Sequence, residues 1–323
     1  MAVKPGGARD PASRLERLVD RQDRIIRRAF LEAARTIRDK NTLKELEDLL
    51  QRGRIIDALA ELDDAARRFS GSVNKAFIEA AEEAAEFLNT ALTVTVSFDQ
   101  VNQRAVEKMR LNQLRLVRGF TEEQRRATQD ALLQALREGV GPRAMARRFR
   151  ESIGLTQFQQ GAVDNYRVLL QQNSSAALTR ALRDRRFDAT VLRAIRGEIE
   201  LTEGQIDKMV GRYQERFLKF RSETIARTEA LKSVHEGTRE MYEQAFEEGI
   251  LLPDEVKREW VTAGDERVRD THMDLDGEVR GPNEPFETGF AQLMFPGDPA
   301  APPEEIINCR CALATRLVPR EGL

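Results

Sequence analysis

Residues 202–249 read TEGQIDKMVGRYQERFLKFRSETIARTEALKSVHEGTREMYEQAFEEG, and this stretch decides the fold class. Thr202 followed three residues later by Gln205 has the form of a capping box, in which the hydroxyl accepts from an early helical amide and the glutamine reaches back. Phe217, Ile225, Leu231, Val234, Tyr242 and Phe246 then keep a helical period, with Gly204 and Gly211 as early breaks. Gly249 suits the left-handed residue that ends helices, and Pro253 lies just beyond it. A long helix is predicted here.

Upstream, Leu15, Leu18, Ile25, Ala29, Ala33 and Ile37 recur mostly at steps of three and four, which predicts a first helix from Ser13. Gly53 and Ser70-Gly71-Ser72 punctuate the chain before Phe77, Ala80, Ala84, Phe87, Leu88 and Ala91 resume the helical spacing. Thr93–Phe98 alternates Thr and Val, as a short strand or as β-branched residues tolerated in a helix. Thr121 with Gln124 predicts a second capped start, and Gly139 and Gly141-Pro142 a turn before a basic helix holding Met145 and Phe149.

Downstream the texture changes. Lys257–Thr262 reads as a strand, Asp276-Gly277 as a turn, and Glu278–Arg280 as the returning strand. After the loop PGDPAAPPEE comes a last strand from Ile307 to Leu317, whose period of two puts Ile307, Cys309, Cys311 and Leu313 on one face. The fold class is mainly α: a long helical N-terminal region with a small α+β, loop-rich C-terminal module. The expected divisions are a flexible N-terminus at 1–12, a helical region at 13–220 and the module at 221–323.

With 41% hydrophobic, 33% charged and only 6% aromatic residues, the composition fits a helical protein with much solvated surface. No apolar run approaches the roughly 18 residues of a membrane span, and no apolar signal core opens the chain. No membrane partner is expected, and the chain is expected to be made and kept in a cytoplasm. The net charge of -2 conceals an uneven distribution. From Arg104 to Glu151 basic residues are twice as many as acidic ones, Arg180–Arg196 is also basic, and from Glu236 onward acidic residues outnumber basic ones by more than two to one. Arg143, Arg147 and Arg150 fall near one helix face, with Arg148 beside them, and guanidinium groups so placed can bind phosphate oxygens without reading sequence. The plainer reading is a solvated helix face.

Several enzyme classes fail on their motifs. No GxxxxGK[ST] loop is present to cradle a nucleotide. His272-Met273-Asp274 and Cys309-Arg310-Cys311 depart from the His-x-Glu and Cys-x-x-Cys spacing of a zinc deaminase. Asp265, Asp270, Asp274 and Asp276 could bind a divalent metal as in a nuclease, but loop aspartates this dense are commonly turn formers. No thiol-hydrolase signature surrounds either cysteine, and no catalytic residue is assigned.

Four features occur in order: ETIARTEALKSVHEGTREMYEQAFEEG (223–249), REWVTAGDERVRDTHMDLDG (258–277), PFETG leading to MFPGDP (285–299), and INCRC (307–311). Together they resemble the C-terminal domain of the Mu F-type phage head morphogenesis family, also called minor head or minor capsid proteins. The resemblance implies a virion component present in few copies at the portal vertex, inside the head. Its partners would be the portal protein, the major capsid or scaffolding protein, and packaged DNA. In that setting Arg227, Thr228 and Glu229 would anchor the long helix to the C-terminal module. Otherwise they are ordinary exposed or paired helix charges. Trp260, the lone tryptophan, reads as a core residue of its strand.

Thiolate and imidazole together favour zinc, so His272, Cys309 and Cys311 are candidate ligands of one structural ion. Asp265 or Asp276 would complete the tetrahedron. Members of the family often carry cysteines near the positions of Arg269 and His272, and Arg269 departs from that pattern. The same alternation would equally bury two small thiols in a core.

Overall fold

The structure, a computed structural model, describes residues 11–40, 48, 52, 61–92, 95–137 and 152–318. Six helices precede the C-terminal module among the described residues. They are α1 (Pro11–Lys40), α2 (Glu61–Leu92), α3 (Gln103–Arg137), α4 (Gln157–Gln171), α5 (Asp188–Ile195) and α6 (Glu203–Glu247). Short 3-10 turns at Ser175–Thr179 and Arg185–Phe187 lie between α4 and α5. The module then runs β1 (Val256–Val261), α7 (Asp270–Met273), β2 (Val279–Arg280), β3 (Phe286–Glu287), β4 (Gln292–Leu293), α8 (Pro303–Ile306) and β5 (Ala312–Leu317). The protein is therefore mainly α with small antiparallel sheets near its C-terminus.

The chain groups into two compact units that interleave along the sequence. One takes Met1–Phe30, Phe69–Arg115 and Glu223–Leu323, and the other Leu31–Arg68 and Leu116–Ser222. The second unit begins α4 with a reciprocal cap that the sequence reading missed, Thr156 with Gln159. It packs Tyr166 of α4 on Tyr213 of α6, ring centroids 4.4 Å apart.

In the first unit, α6 is ended by the device its sequence announces. Gly249 has φ +68, its N–H reaches the Phe246 carbonyl, and the Ile250 N–H reaches Ala245 at 3.0 Å, the two bonds of a Schellman motif. The Thr202–Gln205 box at its other end also forms, with Gln205 N donating to Thr202 Oγ1 at 3.3 Å. Against α6 lies α2, and there the backbones nearly touch. A Cβ on Gly237 would sit 2.1 Å from the Phe77 carbonyl oxygen. Small residues permit this approach, since Ala76, Ala80, Ala81, Ala84 and Ala85 are all buried, while Phe77, Leu88, Met241 and Tyr242 fill the space beside them.

A polar ladder joins α3 to α6. Arg104 and Lys108 both bind Glu240, Asn112 donates to Glu236 at 2.6 Å, and Arg115 binds Glu229 at 2.8 Å. As positions advance along α3 their partners recede along α6 by one or two turns, as antiparallel helices require. Glu240 is fully buried, and two cations offset its desolvation. The opening of the basic stretch Arg104–Glu151 is thus spent on internal carboxylates.

Several expectations are corrected. Helix α1 starts at Pro11, a residue type suited to a first helical position, so it enters the segment expected to be flexible. Its buried stripe is Leu18, Gln22, Ile26 and Phe30, while Ile25 is 42% exposed. Helix α2 continues through Ser70-Gly71-Ser72 and α3 through Thr121; local breakers and caps yield when tertiary packing favours continuation. At 95–99 the chain forms neither helix nor strand. The Asn89 side chain both donates to Val96 O and accepts from Val96 N, substituting for a neighbouring strand, and Val96 and Phe98 are buried. Gly53, Gly139, Gly141-Pro142, Met145 and Phe149 lie outside the described residues. No described helix is long and apolar enough to cross a membrane.

The near-contact of α2 and α6 makes a paired test. Gly237→Ala places a methyl group against a carbonyl oxygen and is expected to cost about 1–3 kcal/mol or more. Gly71→Ala, in a helix with open space around it, is expected to stabilise by up to about 1 kcal/mol. Urea unfolding of both variants checks the opposite signs.

Candidate metal centre

The C-terminal sheet has strand order β2-β1-β5, all antiparallel. On the central strand β1 the side chains of Val256, Arg258 and Trp260 point inward by the period of two. Trp260 is fully buried and meets the edges of His272 and Phe286, each at 5.2 Å between ring centroids. This bears on its expected core position. Arg258 is buried too, with no carboxylate bonded to it among the described residues. Its Nε and Nη2 donate to the Gly281 carbonyl, and its remaining donors reach the carbonyls of Glu284 and Met294. Burial pushes its pKa down to about 10, yet the guanidinium keeps its charge at neutral pH.

Behind Trp260, the short helix α7 presents His272 to the segment that follows α8. His272 Nδ1 lies 3.5 Å from both Cys309 Sγ and Cys311 Sγ. The three donor atoms fall within 4.8 Å of one another, and all three residues are buried. On its other side His272 Nε2 is 2.9 Å from Glu305 Oε2, which also accepts from Thr271 Oγ1. A Nε2–H donated to this carboxylate fixes the tautomer and leaves the Nδ1 lone pair facing the sulfurs, the usual support of a metal-binding histidine. The hydrogen bond from Cys311 holds the Cys309 thiol well below its ordinary range, against burial and with help from His272. Cys311 is pushed up, first by Cys309 and then by burial, while the Trp260 indole N–H acts the other way. That N–H is buried and has no partner other than the Cys311 sulfur among the described residues, so an anionic sulfur beside it would be favoured. The donor set and its supports fit a thiophilic divalent ion.

The cysteines meet for a different reason from the one expected. Strand β5 begins only at Ala312, and Ile307, assigned to the same face, is 42% exposed. Asn308 instead turns the chain with φ +56, a conformation that asparagine tolerates, and Cys309–Cys311 lie outside any helix or strand. Arg269 fastens this segment to α7 by donating to the carbonyls of Glu304 and Ile307.

Neither expected fourth ligand reaches the cluster. Asp265 is held by both arms of Arg310 and by the Arg267 backbone N–H, which together bring its carboxyl down to about 2. Asp276 accepts from Thr262 N and Oγ1. Glu305 is the carboxylate at the site, and it contacts the imidazole. Arg227 bonds Asp20 at 2.7 Å and Glu229 bonds Arg115, so these two residues tie α6 to α1 and α3. The residue between them makes the link to the module: Thr228 Oγ1 accepts the Asn308 N–H at 3.2 Å. Arg143, Arg147, Arg148 and Arg150 lie outside the described residues.

The Pro296-Gly297-Asp298 loop is the rigid turn its composition suggests. Asp298 accepts from the N–H groups of Met294 and Ala300, and Gly297 has φ +85, where a Cβ would come into van der Waals contact with Leu231 and Lys232. Phe295 stacks on His235 of α6 at 5.9 Å.

A family described as phage Mu protein F like protein matches residues 126–314. The uncharacterized protein YqbB of Bacillus subtilis (strain 168) is 34% identical over 102 residues, which is 30% of this chain and 31% of YqbB. The chain therefore aligns with about a third of that relative's length. No solved structure matches.

His235 yields a pH dependence. Burial lowers its pKa from 6.5 to about 4, so between these values the unfolded chain binds the proton that the folded chain refuses. The stability associated with neutral His235 is complete above about pH 6.5 and is lost as pH falls toward 4. Unfolding midpoints measured from pH 7 to 4 should fall more steeply for the wild type than for His235→Leu.

Proposed function

Because the chain belongs to the phage Mu protein F like family, we propose that it is a minor head protein of a tailed bacteriophage, a structural component of the virion near the portal vertex. In this reading residues 221–323 form the family's module and 13–220 a helical region that meets the portal, capsid or scaffolding protein and supports assembly, packaging or ejection. The observation that carries it is the family match together with the seat of the INCRC segment on α6 through Thr228 and Asn308. A non-enzymatic role is supported by the burial of His272, Cys309 and Cys311 to 3% exposure or less, which suits a fastening better than a site that admits substrate. Mass spectrometry of purified particles is expected to find the protein at a fixed, low copy number. Its absence from both virions and proheads would sink the reading.

We assign the metal as zinc, held by Cys309, Cys311 and Nδ1 of His272. When bound, the ion would cross-link α7 to the segment leading into β5 and so add to folding stability. Glu305 orients the imidazole, and Trp260 covers it. Cys309→Ser or Cys311→Ser is expected to release about one equivalent of zinc and lower the melting temperature. Glu305→Gln should retain the fold and weaken metal binding by about 10–100-fold. Elemental analysis of chelator-free protein with no stoichiometric metal would return both thiols to the role of core residues.

A further inference from the structure

The second unit carries a basic surface built from two segments far apart in the sequence. Arg216 of α6 donates to the Arg183 carbonyl and contacts Asp184 at 3.3 Å, and the Lys208 ammonium stands 5.9 Å from the centre of the Phe187 ring. These contacts lay the edge of α6 that bears Lys208, Arg212 and Arg216, each one turn from the next, against the turn that bears Arg183, Arg185 and Arg186. Three carboxylates answer these six cations. Asp184, its side chain 2% exposed, is shared by Arg186 and Arg216; Asp188 takes two bonds from Arg183, both 2.9 Å; and Glu215 takes Arg212. Arg185 is exposed and has no carboxylate partner among the described residues.

We infer that this surface binds the phosphate backbone of duplex DNA without reading its sequence. The inference rests on the head-component reading, which places the protein beside packaged DNA. The internal carboxylates orient Arg183, Arg186 and Arg216, so less side-chain freedom is lost when their outward donors meet phosphate. Lys208 to Arg216 covers about 12 Å of helix, the axial rise of roughly three to four nucleotides on one strand. The aromatic ring at the centre, Phe187, is half-buried and engaged by Lys208, which favours backbone contact over base stacking.

The test is fluorescence anisotropy of the full chain with a short labelled duplex of mixed sequence, across a salt series. Arg185→Glu, Lys208→Glu and Arg212→Glu combined change exposed side chains. They should weaken binding about tenfold or more at low salt and reduce the slope of log K against log salt by about 2–3. If the combined variant loses its helical circular dichroism, Arg185→Glu alone decides, with a slope reduced by about 1 expected. An unchanged slope, or wild-type protein that fails to retain duplex, overturns the inference. So does binding that survives these changes and is lost on reversing Arg143, Arg147, Arg148 and Arg150. Loss of capture of head proteins with duplex binding intact overturns it in favour of an acidic protein partner. Protein found in heads but unable to bind duplex defeats this inference and leaves the head-component reading standing.

Discussion

A single guanidinium organises the C-terminal module. Arg258 projects from the central strand into a space where short strands leave many backbone carbonyls without partners, and it supplies donors to those of Gly281, Glu284 and Met294. A neutral side chain could not serve three such acceptors, and a buried arginine without a carboxylate is tolerated here because carbonyl oxygens take the place of water. The Arg258 guanidinium also lies over the Phe286 ring, 5.5 Å from its centre. Phe286 in turn meets Trp260, and Trp260 meets His272. The position of the candidate metal ligands therefore depends, through three contacts, on hydrogen bonds made two residues away along β1.

Much of this was legible in the sequence where the signal is local. The caps of α6, the strand at Lys257–Thr262, the return at Glu278–Arg280 and the rigidity of the PGDP turn depend on residues within a few positions of one another. The identities of His272, Cys309 and Cys311 also carry their chemistry openly. What sequence could not supply was the company each residue keeps. Asp265 is a plausible ligand by type and proximity, but Arg310, 45 residues away, takes it. Glu305 stood out only as the end of the loop PGDPAAPPEE and proves to be the partner of His272. Arg258 was readable in principle, since a charged residue in register with Val256 and Trp260 must find polar partners inside.

The helical region shows the same limit in another form. Breakers such as Ser70-Gly71-Ser72 and a capping pattern at Thr121 are weak local preferences, worth about 1 kcal/mol each, and packing along α2 and α3 outweighs them. Charge counts mislead for a related reason. A stretch rich in arginine suggests an anionic ligand only if its cations remain available, and Arg104, Lys108 and Arg115 are committed to Glu240 and Glu229. The surface around Arg185 differs because its carboxylates are too few.

The interleaving of the two units governs the order in which this chain can become a protein. The unit that holds the candidate metal centre draws on Met1–Phe30 and Phe69–Arg115 and on Glu223–Leu323, which is synthesised after the second unit's Leu116–Ser222. Until the latter emerges, the alanine-lined face of α2 and the carboxylate-seeking face of α3 have no α6 to receive them. At roughly 5–20 residues per second, the wait from Arg115 to β5 lasts on the order of ten seconds or more. During that interval the early helices are exposed to chaperones and to their counterparts on neighbouring nascent chains. Completion of this unit therefore waits on the synthesis of its last segments, and a chain cut short anywhere before β5 would lack a strand of its central sheet.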